Sequence, residues 1–123
     1  MERPPVFVGL DTPDLEHARA LARAVAPHVG GLKLGLEFFM ANGPAGVRAM
    51  AGVGLPIFLD VKLHDIPNTV AGAMRSLRAL DLFMVNVHAS GGAAMMAAAR
   101  DACLATTKLI AVTVLTSLDD GDL

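Results

Sequence analysis

The chain has 123 residues, with 10 basic and 12 acidic side chains, a formal net charge of −2 and a mean hydropathy of +0.53. This composition predicts one folded domain with a hydrophobic core and argues against disorder. The slight acidity and the lack of Trp and Tyr argue against nucleic-acid binding. No apolar stretch approaches the length needed to cross a membrane, and the lone Cys103 predicts a reducing, cytoplasmic location.

Five short apolar runs predict strands. They cover residues 6–10, 31–35, 56–59, 82–87 and 109–114. Each run is apolar on successive residues, which is typical of strands buried on both faces in a parallel sheet.

The segments between these runs predict helices. Thr12 and Pro13 indicate an N-cap and the first position of the first helix, with Asp14 in its first turn. The predicted helical stretches, in chain order, are residues 13–25, two shorter pieces at 38–42 and 45–50 broken at Gly43 and Pro44, a helix opened by Pro67, and residues 93–103.

The alternation of strands and helices sets the fold class. The strand centres, near residues 8, 33, 58, 85 and 111, are 25 to 27 residues apart, which allows helical crossovers between parallel strands. Eight such units would need about 208 residues, close to the lower limit of a (β/α)8 TIM barrel. The chain therefore predicts an α/β fold of about five parallel strands with four helical crossovers, either a small open domain or part of a barrel.

Charged residues interrupt the predicted strands. Lys33 lies inside the second strand, Asp60 and Lys62 lie at the end of the third, and Asp11 ends the first. A buried charge is costly unless it is paired, and residues two apart in a strand point to the same side. In a parallel barrel these four side chains would converge at the carboxyl-terminal mouth.

Such a cluster suggests a reaction. Carboxylates beside ammonium groups keep the lysines protonated, so that a lysine serves as a proton donor. Carboxylates lodged against a substrate favour the loss of a negative group, and the lysine then protonates the carbanion. Two simpler interpretations stay open, in which a strand-end Asp is a helix cap or turn former and Lys33 reaches solvent from an edge strand.

Other polar residues give weaker signals. His64 and His88 are either structural or metal ligands, and no spacing typical of a metal site accompanies them. Ser90, followed by Gly91 and Gly92, predicts either an anion site or a plain helix N-cap. We therefore expect no metal site.

One string carries a specific resemblance. Residues 58–70, Phe-Leu-Asp-Val-Lys-Leu-His-Asp-Ile-Pro-Asn-Thr-Val, closely resemble the signature of the orotidine 5′-phosphate decarboxylase family. Residues 8–11, 32–35, 87–92 and 112–117 resemble that family in the same order. The resemblance implies a dimeric (β/α)8 barrel that converts orotidine monophosphate to uridine monophosphate and carbon dioxide without a metal or organic cofactor. Residues 1–123 would then be a single domain, the N-terminal part of that barrel.

The resemblance also implies residue roles. Lys62 would donate the proton to C6 of the pyrimidine, and Asp60 would face the departing carboxylate. Lys33 and Asp65 would complete the charge network, with Asp65 and Thr69 reaching the site of the neighbouring subunit. The implied substrate-binding set is Asp11, Lys33, Asp60, Asp65, Ile66, Thr69 and Thr116.

Two alternatives stay open beside this interpretation. The family's phosphate-gripping residues, which follow the last strands, have no counterpart in these 123 residues, so the chain alone would be an inactive fragment needing a complementary half. A magnesium-dependent sugar-phosphate decarboxylase or synthase shares the Asp-x-Lys-x-x-Asp pattern. His64 and residues 66–69, Ile-Pro-Asn-Thr, favour the orotidine 5′-phosphate decarboxylase family over the magnesium-dependent one.

Overall fold

The sheet topology decides between the two predicted architectures. A computed structural model describes residues 2–123, within which five strands form one parallel sheet in the order β1-β2-β3-β4-β5. A doubly wound open sheet reverses its strand order, whereas a (β/α)8 barrel adds each strand beside the previous one. The strands are β1 Phe7–Gly9, β2 Gly31–Gly35, β3 Ile57–Leu63, β4 Met84–His88 and β5 Lys108–Val112. The sequential order identifies a partial barrel.

Four helices connect the strands, as predicted. They are α1 Leu15–Val25, α2 Leu36–Ala51, α3 Pro67–Leu77 and α4 Ala93–Ala102. In the part of the chain that is described, no helix combines the length and the apolar character that crossing a bilayer requires.

The predicted start of the first helix is wrong by two residues. The N-cap of α1 is Asp14, whose carboxylate accepts the backbone N–H of His17. The hydroxyl of Thr12 instead accepts the N–H of Asp14 at 3.2 Å. Asp is as good an N-cap as Thr, so sequence preference alone did not distinguish them.

The break in α2 falls where it was predicted, although the helix begins earlier, at Leu36. Gly43 has φ 63° and ψ −164°, and Pro44 follows it. Proline cannot continue the preceding turn because it lacks an N–H and its ring clashes with that turn. Glycine accepts the positive φ without a Cβ penalty, so the two residues together form a kink.

The ends of β1, β4 and β5 differ from the predicted runs by one or two residues, and two larger differences lie near the charged residues and Ser90. Strand β3 extends to Leu63 and so includes the charged residues that follow position 59. Helix α4 is capped by Gly92, at φ 97°, without a side-chain hydrogen bond, and it ends at Ala102. Ser90 lies in a short 3-10 turn before it, so its predicted role as N-cap is wrong.

The core lies between the sheet and the helices. Alternate residues of β2 and β3, Leu32, Leu34 and Leu59, are fully buried and pack with Phe38 of α2. Since successive side chains of a strand point to opposite faces, the residues between them face away from the helices. That second face carries Lys33, Phe58 and Asp60.

Candidate active site

A pocket of about 450 Å³ lies on the face of the sheet opposite the helices. Its floor comes from β2, β3 and β4, and one wall comes from β5 and the segment after it. Carboxyl ends of parallel barrel strands are where such folds place their chemistry. The lining residues are Lys33, Phe58, Asp60, Lys62, Asn86, Ile110, Val112, Val114, Leu115, Thr116 and Ser117.

Asp60 is the centre of the polar network in this pocket. Its Oδ1 lies 2.7 Å from Nζ of Lys62, and its Oδ2 lies 3.2 Å from Nζ of Lys33. The Asp60 carboxylate is 9% exposed, whereas the two lysine side chains are about one third exposed. The predicted pairing of these three residues is thus present, and Lys33 does not simply extend from an edge strand.

The ionisation of Asp60 is set by opposing influences. Burial alone raises the pKa of its carboxyl. Hydrogen bonds from Lys62, Asn86 and Lys33, together with the charge of Lys62, outweigh burial and bring that pKa below its usual range. Asp60 therefore remains an anion at neutral pH, aimed into the pocket.

The contact between Asp60 and Lys62 does not arise from a regular strand. The ladder between β3 and β4 pairs Leu59 with Val85 and then Leu63 with Val87, with an irregularity between. Four positions on β3 therefore correspond to two on β4. Within this bulge Lys62 has φ 50°, a left-handed conformation that non-glycine residues seldom adopt.

This backbone conformation predicts an unusual order of stability. In the 123-residue chain, the free energy of unfolding of Lys62→Gly should be roughly 1 kcal/mol higher than that of Lys62→Ala. The glycine variant is the more stable one because only alanine keeps the Cβ that opposes positive φ. Both variants lose the same ion pair, so urea unfolding isolates the backbone effect. At Lys108 of β5, the same pair of substitutions should give the opposite order, since glycine weakens an ordinary strand. An advantage for alanine at Lys62 would contradict the strained bulge.

Asp11 lies beside this network. A Cβ built on Gly9 would lie 3.3 Å from Cε of Lys33 and 3.6 Å from Oδ2 of Asp11. Both side chains thus occupy the space over Gly9. A larger residue at position 9 would reduce that space. Among residues 2–123, no ion pair within 4.0 Å joins Asp11 to Lys33.

Three of the predicted site residues lie apart from the pocket. Asp65 is exposed, and its Oδ1 accepts the backbone N–H of Ile66 at 2.7 Å. Ile66, 65% exposed, and Thr69, also exposed, stand at the start of α3. The chain by itself therefore brings Lys33, Asp60 and Lys62 together but leaves these three facing outward. Thr116, by contrast, lines the pocket wall.

Sequence reasoning missed Asn86. Its side chain is buried, with 2% of the residue exposed, and its Nδ2 donates to Oδ1 of Asp60 at 2.7 Å. The available signal was a lone amide inside the apolar run at 82–87.

The two histidines near the site are neighbours. The ring centroids of His64 and His88 are 5.3 Å apart. Within residues 2–123, no three His, Cys, Asp or Glu side chains are grouped so as to hold a metal ion.

Fold and site together define a partial (β/α) barrel whose pocket holds an anionic carboxylate between two lysines. The sequence model of the orotidine 5′-phosphate decarboxylase / HUMPS family matches residues 4–123. The chain belongs to this family.

Individual relatives agree with this assignment. The orotidine 5′-phosphate decarboxylase of Novosphingobium aromaticivorans is 61% identical over 119 residues, which are 97% of this chain and 53% of the relative. The crystal structure of an uncharacterized conserved protein from Geobacillus kaustophilus is similar at 41% identity and a TM-score of 0.85, covering 95% of this chain and 58% of that one. The orotidine 5′-phosphate decarboxylase structure from Lactobacillus acidophilus shares 35% identity and a TM-score of 0.79, covering 97% and 56% respectively. The chain spans about half the length of the curated relatives it matches.

Proposed function

We propose that this chain supplies the charge network of an orotidine 5′-phosphate decarboxylase, a lyase of pyrimidine biosynthesis. The observation that carries the proposal is the buried Asp60 carboxylate, paired with Lys62 on one oxygen and Lys33 on the other. The names of the curated relatives support the same activity. The substrate is orotidine 5′-monophosphate, and the products are uridine 5′-monophosphate and carbon dioxide.

The network suits this reaction in two ways. The Asp60 anion would face the substrate carboxylate, and this repulsion is relieved when the bond from C6 to the carboxylate breaks and carbon dioxide leaves. The electron pair stays on C6, and the Lys62 ammonium is placed to stabilise it and then transfer one proton to that carbon. Interactions that strengthen as charge develops at C6 accelerate the chemical step itself.

The remaining roles are those that the family resemblance implies, and the positions of these residues are compatible with them. Lys33, and Asp11 beside it, would contact the ribose hydroxyls, and Thr116 on the opposite wall would contact the base. We place the enzyme in the cytoplasm, in keeping with its single cysteine, Cys103.

The magnesium-dependent sugar-phosphate reaction of the same superfamily is not favoured. The curated relatives carry the decarboxylase name. A chelator should therefore leave the rate of decarboxylation unchanged.

A hybrid enzyme tests the proposed activity. In it, this chain replaces the matching segment of the Novosphingobium relative, whose remaining half completes the barrel. The hybrid should release carbon dioxide from orotidine 5′-monophosphate at a rate close to that of the intact relative, measured by the absorbance change of the pyrimidine. A folded hybrid that binds uridine 5′-monophosphate but does not turn over the substrate would contradict the proposal.

We further propose a homodimer in which Asp65 and Thr69 reach the neighbouring site. Both are exposed beside Ile66 at the start of α3. An apolar groove of about 280 Å³ between α2 and α3 would add contact area, and its rim includes Leu36 and Met40, 54% and 75% exposed. Exposed apolar patches of this kind commonly mark interfaces.

The dimer has a direct test in the hybrid enzyme. Met40→Glu should weaken association at least tenfold, because it places a charge in the apolar groove, and sedimentation should then show monomer at micromolar concentration. Leu21→Glu on α1, where the leucine is 40% exposed, is the matched control and should leave the dimer intact. Equal association by both variants would rule out this groove as the interface.

A further inference from the structure

Asn86 joins the two residues on which the proposed reaction depends. Its Nδ2 donates to Oδ1 of Asp60 at 2.7 Å, and its Oδ1 accepts the backbone N–H of Lys62 at 2.8 Å. We propose that Asn86 is a positioning residue that fixes Lys62 against Asp60, an inference that rests on the proposed decarboxylase function.

The bulge in β3 explains why Lys62 needs such a partner. Between the pairs Leu59–Val85 and Leu63–Val87 the regular ladder is interrupted. A buried backbone N–H without a partner is costly, and the Asn86 side chain supplies the acceptor for Lys62. The same contact holds Lys62 at φ 50°, which an unsupported lysine would leave.

The second contact fixes the orientation of the carboxylate. Oδ1 of Asp60 accepts hydrogen bonds from Nζ of Lys62 and Nδ2 of Asn86, while Oδ2 accepts one from Nζ of Lys33. With both oxygens engaged, rotation of the carboxylate would break at least one hydrogen bond. Asn86 thus restrains the proton donor through its backbone and the anion through its oxygen.

The amide of Asn86 performs both tasks because it carries a donor and an acceptor on separate atoms. Lysine and arginine have no acceptor for the Lys62 N–H, and an ionised aspartate has no donor for Asp60. A leucine, which is branched at Cγ like asparagine but carries no polar atom, would lose both contacts. These differences allow the two contacts to be separated by substitution.

The test uses Asn86→Leu and Asn86→Asp in the hybrid enzyme. Thr107→Val is the control, because Thr107 is also buried, 5% exposed, and its hydroxyl donates to the backbone carbonyl of Leu82 at 2.7 Å, away from the pocket lining. Asn86→Leu should lower kcat about 100-fold or more while KM changes only a few-fold. Thr107→Val should lower stability but preserve kcat.

Asn86→Asp distinguishes positioning from a purely structural role. It retains the acceptor for Lys62 but sets a second carboxyl beside Asp60, and like charges raise the pKa of one member of such a pair. The acidic limb of the kcat–pH profile should therefore move to higher pH, with no such shift in Thr107→Val. Unchanged kcat and an unchanged profile in whichever Asn86 variant folds would overturn the inference.

A measurement without substrate keeps the two proposals apart. In the 123-residue chain, the ¹³C titration of the Asp60 carboxyl should give a higher pKa in Asn86→Leu than in the wild type. If the hybrid does not decarboxylate the substrate but this shift appears, the proposed function fails while the positioning by Asn86 stands. If activity is present but neither the shift nor the loss of kcat is seen, the inference about Asn86 is wrong.

Discussion

Lys62→Ala in the hybrid enzyme should lower kcat for decarboxylation by about 10⁴-fold or more. Lys62 is the cation nearest the buried anion, with Nζ 2.7 Å from Oδ1 of Asp60. Its loss removes both the charge that would stabilise the electron pair on C6 and the proton that would quench it. Alanine also leaves the Asp60 carboxylate with one ammonium partner in place of two.

The measurement should separate chemistry from binding. Single-turnover kinetics with orotidine 5′-monophosphate report the chemical step, and titration with uridine 5′-monophosphate reports whether the site remains formed. Lys108→Ala is the matched control, since Lys108 lies on β5 with its Nζ 5.7 Å from the ring centroid of Phe83 and does not line the pocket. Near-normal turnover by Lys62→Ala would contradict the role assigned to this lysine.

The alternation of strands and helices along the chain could be predicted because it depends on local pattern. Each strand is a short apolar run, and each crossover has a helical face, so the parallel alternation follows from the sequence alone. Local pattern alone left open the choice between an open sheet and a barrel segment, because that choice depends on which strands pair; the family resemblance predicted the barrel. The sequential order of the strands in the sheet confirms that prediction.

The site was predictable in part, for a related reason. The rule that strand residues two apart share a face placed Asp60 and Lys62 together, and they do form an ion pair. The strand is bulged rather than regular, however, and Lys62 is left-handed. That conformation depends on Asn86, which lies 24 residues away in sequence on another strand. A contact between residues so far apart in sequence cannot be predicted from a local sequence pattern.

The exposed positions of Asp65, Ile66 and Thr69 show a different limit of prediction from sequence. Their part in the site was inferred from resemblance, and among residues 2–123 they form no hydrogen bond or ion pair with Asp60 or Lys62. A role across a subunit boundary, as proposed for Asp65 and Thr69, would not be visible in the spacing or packing of one chain. The dimer prediction is therefore independent of the charge network.

Asp60→Asn should be nearly as damaging to activity as the loss of Lys62. The substitution keeps the shape of the side chain but removes the anion, so the two ammonium groups that Asp60 separates, at 2.7 and 3.2 Å, lose their shared counter-charge. A decrease in kcat of about 10³-fold is expected, since the repulsion of the substrate carboxylate is lost and Lys62 is no longer held in place. Asp81→Asn, an exposed isosteric change, should leave kcat unchanged.

The same variant should also change how stability depends on pH. Because the pKa of Asp60 is lower in the folded state than the unfolded value of about 3.9, its ionised form stabilises the fold above that value. This contribution is lost as the pH falls through the folded pKa. At neutral pH the free energy of unfolding of the wild type should thus be roughly 2 kcal/mol higher than that of Asp60→Asn. This difference should shrink steadily as the pH is lowered. Urea unfolding of both chains across this range gives the comparison, with Asp81→Asn following the wild type. A difference that stayed constant with pH would show that the Asp60 carboxylate does not hold the charge network together.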